Sequence, residues 1–186
     1  MQQEIQNAFQ IIQNGGIILY PTDTVWAIGC DATNAAAVAK IYALKKRTEN
    51  LKMICLMNGE KMMYNVFNDI PEVAWQILDL SEKPTTIILD KPRNIASNLI
   101  AADNSLGVRI VKEPFCFKLM ERLKKPLVAT SANISGEKTP RNFQEISADI
   151  KNGVDYIVDF NKDKHCENTS TIIKLTLDNQ VKIIRK

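Results

Sequence analysis

Short apolar segments alternate with helical segments along the whole chain, and this alternation constrains the fold more than any other feature of the sequence. Helices are predicted where apolar residues recur on one face, and strands where apolar or β-branched residues run together between turn residues. The predicted helices span residues 2–13, 34–46, 60–67, 71–80, 114–124 and 142–149. The predicted strands span residues 16–20, 25–30, 53–57, 85–90, 106–111, 126–130, 156–160, 171–177 and 180–185. This order predicts an α/β fold with a mixed sheet, and because no linker rich in Pro, Gly or Ser interrupts it, residues 1–186 are predicted to form one domain.

The charge balance is mildly basic, with 24 Lys and Arg against 21 Asp and Glu. This balance fits a small anionic ligand or a weak contact with RNA. Aromatic residues make up only 6% of the chain, which argues against a stacking platform for single-stranded nucleic acid. The N-terminal residues lack the pattern of a signal peptide, and no apolar run approaches the ~18 residues of a membrane span, so a cytoplasmic protein without membrane contact is expected.

The 4 cysteines stand far apart and the only histidine is His165, so no metal site and no catalytic triad is predicted. Wide spacing of this kind is typical of reduced, buried thiols in a cytosolic protein.

Polar residues gather at the ends of predicted strands, where open α/β sheets bind ligands. The sequence contains no Walker A motif and no G-x-G-x-x-G, so a nucleotide would be held by another device. The polar segments are residues 20–24, 45–47 with Lys52, 105–109, and 130–133 with a similar run at 169–171. They offer hydroxyls, an amide and several cations without an obvious base. This set suits binding of phosphates and a carboxylate, and it does not suit covalent catalysis.

Each segment also has an ordinary structural interpretation. Thr22 and its neighbours are typical turn hydroxyls after a proline, and the basic triplet at 45–47 is typical of a solvated helix end. Serine and asparagine, the residue types of Ser131 and Asn133, are common in helix caps and turns. Lys45 shares a helix face with apolar residues, so it either snorkels or points into a cavity, and Arg109 needs an anionic partner if it is buried.

The order of the motifs is more specific than any one of them. The segments YPTDTVW at 20–26, KxR at 45–47, GVR at 107–109, TSANISG at 130–136 and STII at 170–173 resemble the YrdC/Sua5 family of threonylcarbamoyl-adenylate synthases. The resemblance runs from about Gly15 to Arg185. It implies a twisted mixed sheet with flanking helices around a basic cavity. It also implies the reaction of L-threonine, bicarbonate and ATP to give threonylcarbamoyl-AMP and pyrophosphate.

In this family the product supplies the threonylcarbamoyl group for adenosine 37 of tRNA, which a separate transferase complex modifies. The resemblance implies that Lys45 and Arg47 are the main catalytic cations and also contact the nucleotide. Matching positions imply that threonine or its carbamate is contacted by Thr22, Lys52, Arg109 and Ser170. The other implied nucleotide contacts are Ser105, Ser131, Asn133, Thr139 and Arg185. Since no carboxylate cluster marks a metal cage, Mg²⁺ is expected to arrive with ATP.

Some positions depart from the family pattern. Trp26 and Ala27 replace the usual tyrosine and glycine, the usual W-P-G-P-x-T segment keeps only Pro84 and one threonine, and the residues around Lys52 differ. The chain ends at Lys186, which leads us to expect a short type without the additional C-terminal domain of longer members. Residues 161–168 form a polar run and are a candidate lid over labile intermediates. The alternative function is a non-catalytic RNA-binding module of the same fold.

Overall fold

A computed structural model describes residues 1–48, 52–166, 169–176 and 180–185. Within these ranges the helices are α1 (Gln2–Gln13), α2 (Ala35–Leu44), α3 (Glu60–Val66), α4 (Glu72–Leu80), α5 (Pro114–Leu123) and α6 (Ala148–Gly153), with a 3-10 turn at Ser97–Leu99. The strands are β1 (Ile18–Tyr20), β2 (Ala27–Gly29), β3 (Ile54–Met57), β4 (Thr85–Asp90), β5 (Ser105–Ile110), β6 (Leu127–Ser131), β7 (Tyr156–Ile157), β8 (Thr171–Leu175) and β9 (Val181–Arg185).

The described strands form one sheet in the order β7-β1-β2-β6-β3-β5-β4-β8-β9. Parallel pairing joins β1 with β7, β3 with β5, and β4 with β8, and the remaining neighbours pair antiparallel. The predicted α/β fold with a mixed sheet is therefore confirmed. Because β6, β3 and β5 lie at the centre, residues at their ends come together although they are distant in the sequence.

Helix α2 shows how the local sequence positions one functional residue. The Asn34 side chain accepts a hydrogen bond from the main-chain nitrogen of Ala37 at 3.1 Å and so begins the helix. Val38 and Ile41 are buried against the sheet, and Lys45, which follows on the same face, is only 1% exposed. The predicted shared face is confirmed.

The core contains all four cysteines as free, buried thiols, which confirms that prediction. Burial raises the pKa of Cys55 to about 12, so this thiol stays protonated at neutral pH. None of the described helices is long and apolar enough to span a membrane.

The helix predicted over residues 142–149 is wrong. Asn142 accepts from the nitrogen of Glu145 at 2.9 Å, and Glu145 accepts from the nitrogen of Arg141 at 2.8 Å, which closes a separate turn. Ser147 then caps the nitrogen of Ile150, so the helix begins one residue later, as α6. Both asparagine and serine are good caps, and the sequence pattern selected the wrong one.

Several predicted strands are shorter in the structure. The strand predicted over 156–160 is β7, and the one predicted over 16–20 is β1. The predicted strand over 171–177 forms as β8, and its last residue, with the turn expected at 178–179, lies outside the described residues.

We predict that Gly29→Ala will destabilise the fold strongly. A Cβ atom at Gly29 would lie 2.1 Å from the main-chain oxygen of Val128 and 2.7 Å from Cε1 of Tyr20, whose hydroxyl crosses the glycine to donate to that oxygen. Backbone in a central strand cannot move aside, so a loss of about 3 kcal/mol in the free energy of unfolding is expected from overpacking. Urea unfolding measures this loss.

The matched control is Gly107→Ala in β5. Its Cβ atom would lie 3.1 Å from Cγ2 of Ile54, a side-chain methyl that can rotate. A smaller loss is expected there, and a larger loss for Gly107→Ala than for Gly29→Ala would contradict the prediction.

Candidate functional site

A cavity of about 210 Å³ opens against the sheet where the β1–β2 loop meets the ends of the central strands and of β8 and β9. Main-chain connections far apart in the sequence contribute to it because the mixed pairing brings their ends to one place. Most of the predicted site residues line this cavity, namely Thr22, Arg47, Lys52, Arg109, Ser131, Thr139, Ser170 and Arg185. Apolar residues, among them Met53, Ile54 and Ile172, complete the lining.

Arg47 and Lys52 form one side of the cavity, just after α2. Nη2 of Arg47 donates to the main-chain oxygen of Lys52 at 2.8 Å, and Nη1 lies 3.5 Å from Oγ1 of Thr130. Nζ of Lys52 donates to the main-chain oxygen of Asn98 at 3.1 Å. Burial lowers the pKa of Arg47. These contacts fix the direction of both side chains at the cavity.

Arg109 and Arg185 also belong to the lining and lie near each other. Nε and Nη2 of Arg185 donate to the main-chain oxygen of Ser170 at 3.0 and 2.8 Å. Arg109 is 4% exposed and its Nη2 lies 2.9 Å from Oδ1 of Asp23. Burial and then the neighbouring Arg109 lower the pKa of Arg185, as expected for two cations near each other. The anionic partner expected for a buried Arg109 is present in Asp23.

The hydroxyl groups of the cavity are fixed by short-range bonds. Oγ1 of Thr22 donates to the main-chain oxygen of Val25 at 2.7 Å and lies 3.0 Å from Oγ1 of Thr24. Oγ of Ser170 lies 2.8 Å from Oγ1 of Thr86. The turn interpretation of these threonines is thus correct locally, yet the same turn presents them to the cavity.

Lys45 lies beneath the cavity instead of lining it. Its Nζ donates to the main-chain oxygens of Ser131 and Asn133, the latter at 2.6 Å, and its own main-chain oxygen accepts from Ser135 at 2.8 Å. Burial, and to a smaller extent Arg47, lowers its pKa to about 8. The expectation that this lysine either snorkels or points into a cavity is wrong. The side chain of Lys45 is buried and hydrogen-bonds the loop that follows β6.

Two other predicted contacts also lie outside the cavity lining. Ser105 donates from Oγ to Oδ1 of Asp103 at 2.6 Å, near the start of β5 and away from Arg109. Nδ2 of Asn133 donates to the main-chain oxygens of Ile134 and Glu137, both at 2.9 Å, and so folds the loop upon itself. The structure does not bring these two side chains into the cavity, and their contact with a nucleotide stays a prediction.

Sequence reasoning did not include every polar residue of the lining among its site residues. Thr24, Thr130 and Thr169 also face the cavity. Each stands beside or two residues from a predicted contact. The signal for Thr24 is its place in the same short loop as Thr22, which is closed by a bond from the nitrogen of Thr24 to Oγ1 of Thr22 at 3.1 Å.

The described part of the candidate lid is docked against the β1–β2 loop. Nζ of Lys164 donates to the main-chain oxygen of Thr22 at 2.9 Å, and the nitrogen of Cys166 donates to the oxygen of Arg141 at 2.7 Å. Residues 167–168 of this segment lie outside the described residues. Movement of the segment stays a prediction.

The altered Trp26 and Ala27 are accommodated within the core. Trp26 is fully buried, and its ring centroid lies 5.0 Å from that of Phe143. Among the described residues, no group of three or more His, Cys, Asp or Glu side chains could hold a metal ion. The chemistry of the cavity is that of cations, hydroxyls and main-chain amides, which suits an anionic ligand.

Comparison with curated proteins points to one kind of enzyme. A Methanocaldococcus jannaschii protein provisionally named as a threonylcarbamoyl-AMP synthase is 37% identical over 175 residues, covering 92% of this chain and 80% of the relative. The threonylcarbamoyl-AMP synthase of Pseudoalteromonas translucida is 29% identical over 161 residues, covering 85% of this chain and 86% of the relative.

Solved structures share the fold. Escherichia coli YciO superposes with a TM-score of 0.86 at 23% identity, covering 100% of this chain and 90% of YciO. Pyrococcus abyssi Sua5, crystallised with L-threonine, superposes with a TM-score of 0.82 at 25% identity, covering 94% of this chain. The chain spans about half, 52%, of the length of that Sua5 chain.

A family model described as "Telomere recombination", which unites Sua5, YciO and YrdC, matches residues 10–186. This match covers nearly the whole chain and includes all the motifs that meet in the cavity. The chain therefore belongs to the Sua5/YciO/YrdC family.

Proposed function

We propose that this protein is an L-threonylcarbamoyladenylate synthase, a nucleotidyltransferase that forms threonylcarbamoyl-AMP and pyrophosphate from L-threonine, bicarbonate and ATP. The observation that carries the proposal is the cavity lined by Arg47, Lys52, Arg109 and Arg185, with no carboxylate among its described lining residues. Relatives 28–37% identical are named as threonylcarbamoyl-AMP synthases, and a Sua5 structure contains L-threonine.

The reaction requires two anions to meet. The threonine amine and bicarbonate give a carbamate and water, and a carbamate oxygen then attacks the α-phosphorus of ATP in line while pyrophosphate leaves. Two like unit charges about 4 Å apart repel by ~4 kcal/mol at an effective dielectric near 20. A cavity with four cations can offset this repulsion and hold both substrates in line, and no covalent bond to the protein is needed.

The lining residues are divided between the substrates according to the family motifs that they match. Thr22, Lys52, Arg109 and Ser170 are assigned to the threonine carboxylate and carbamate. Arg47, Ser131, Thr139 and Arg185 are assigned to the phosphates and the nucleotide. Lys45 and Asn133 act on the nucleotide through the loop that they hold. For Ser105 no contact supports a role in binding.

Mg²⁺ is proposed to enter with the triphosphate, since the described residues contain no cluster of metal ligands. Bound to the phosphates, it would supply additional positive charge at the leaving pyrophosphate. The product is proposed to be consumed by a transferase that modifies adenosine 37 of tRNA, in the cytosol. Four free thiols are compatible with that compartment.

Purified protein supplied with ATP, Mg²⁺, bicarbonate and L-threonine is expected to release pyrophosphate and to form threonylcarbamoyl-AMP. Release should require both threonine and bicarbonate, because only the carbamate offers the attacking oxygen. Coupled pyrophosphate detection with mass spectrometry of the product measures this. Pyrophosphate release at the same rate with and without threonine would contradict the proposal. Tight RNA binding without any turnover would also contradict it and would favour the RNA-binding alternative.

Arg47 and Lys45 should affect turnover in different ways. Arg47→Ala removes a cation from the lining, so kcat/KM is expected to fall about 100-fold or more with little change in stability, as for loss of one electrostatic stabiliser. Lys45→Met keeps the apolar stem but removes the ammonium donor from the main-chain oxygens of Ser131 and Asn133, of which the former keeps only the nitrogen of Asn133. It should lower turnover and also cost about 1–3 kcal/mol of unfolding free energy.

Lys46→Ala is the control for both variants. Lys46 is exposed and stands between the two functional cations, so its replacement should leave turnover and stability near those of the wild type. If Arg47→Ala and Lys45→Met both kept full turnover, the basic triplet would be an ordinary solvated helix end.

Substrate choice should depend on the threonine hydroxyl. A missing methyl group changes binding by only about 1–3 kcal/mol, whereas a site that hydrogen-bonds a hydroxyl rejects an analogue without it far more strongly. Hydroxyls at Thr22, Thr169 and Ser170 crowd the cavity. Serine is therefore expected to be a poor substrate and valine nearly inert in measurements of kcat/KM. If valine reacted as well as serine, the pocket would distinguish amino acids only by the size of the side chain.

A further inference from the structure

We infer that Asp23 is a positioning residue that holds the guanidinium of Arg109 for the substrate carboxylate, an inference that rests on the proposed function. Asp23 lies in the β1–β2 loop between Thr22 and Thr24. The two threonines line the cavity, and Asp23 does not. Its carboxylate faces the outer grooves on the other side of the loop, and Oδ1 lies 2.9 Å from Nη2 of Arg109. One loop thus supplies hydroxyls to the cavity and a counter-charge behind Arg109.

The Asp23–Arg109 contact orients the arginine by charge. At 2.9 Å the pair is an ion pair, yet Oδ1 of Asp23 and Nε of Arg109 are both buried without a hydrogen-bond partner. Arg109 belongs to the cavity lining, and its guanidinium keeps a donor at Nε that no described group uses. Asp23 therefore fixes the position of Arg109 without using up its donors.

Repulsion within the cavity makes a counter-charge necessary. Arg109 and Arg185 lie close enough for the former to lower the pKa of the latter, and neither has another carboxylate partner among the described residues. Glu113, the other buried carboxylate nearby, is already committed, since its Oε2 accepts from the nitrogen of Cys116 at 2.8 Å and caps α5. Asp23 is thus the group that keeps Arg109 from turning away from Arg185.

The test compares charge with shape at one position. Asp23→Asn keeps the size of the side chain and removes its charge, while Asp23→Glu keeps the charge. Asp79→Asn is the matched control, because it makes the same charge change at an exposed residue of another groove that Asp23 also lines. Threonine affinity by titration calorimetry, KM for threonine and for ATP, kcat, and the melting temperature are measured for all four proteins.

Asp23→Asn is expected to weaken threonine binding and raise its KM about 10- to 100-fold, as when a group that orients a ligand contact is removed. The KM for ATP should change less than threefold, and the melting temperature by only a few degrees. Asp23→Glu should stay within threefold of the wild type for threonine, and Asp79→Asn should match the wild type.

Outcomes separate this inference from the proposed function. A wild type that binds threonine but makes no threonylcarbamoyl-AMP would overturn the function alone, and weaker threonine binding by Asp23→Asn would still support the inference. Equal threonine KM in wild type and Asp23→Asn would overturn the inference and leave the function standing.

An equal loss of threonine affinity in Asp23→Asn and Asp23→Glu would show a packing role and would also overturn the inference. If Asp23→Asn does not fold, a tenfold or greater loss in a folded Asp23→Glu would overturn it. A wild type that binds no threonine would overturn it whatever its activity.

Discussion

Main-chain oxygens orient three of the cations that line the cavity, the carboxylate of Asp23 pairs with the fourth, Arg109, and the chemistry of the site depends on these partners. Arg47 donates to the oxygen of Lys52, Lys52 to that of Asn98, and Arg185 to that of Ser170. A carbonyl group orients a cation without cancelling its charge, whereas a carboxylate would cancel it. The described lining of the cavity contains cations and no carboxylate, so an incoming anion would be attracted to it.

Burying these cations costs free energy. Burial lowers the pKa of Lys45, Arg47 and Arg185, so the charged form of each is less stable than in water. The sheet offsets the cost because its central strands are fully packed and hold the acceptor oxygens in place. A bound anion would relieve both the repulsion and the loss of hydration, so ligand binding and fold stability are linked through the same groups.

The sequence predicted the fold and most of the cavity because the relevant signals are local. Buried strands, helix caps and short motifs at strand ends can be read within a few residues, and residues such as Thr22, Arg109 and Ser170 indeed line the cavity. What could not be predicted depends on distant partners. The oxygens that accept from Lys45 lie 86 and 88 residues along the chain, and only the pairing of β6 with β2 and β3 brings their loop to it. The misplaced helix at 142–149 has a different cause, since two good caps compete there and the sequence does not rank them.

The contacts of the β1–β2 loop account for its sequence of proline, threonine, acid and threonine. Two hydroxyls separated by one residue face the cavity, and the residue between them must face away, where a carboxylate meets Arg109. The loop can do this only if both of its strands are fixed. Tyr20 secures this end by donating to the oxygen of Val128 at 2.8 Å across Gly29, which has no side chain to block it. The loop position thus depends on Gly29, which makes room for Tyr20, and on Tyr20, which holds the end of β1. That position in turn places the carboxylate of Asp23 against Arg109.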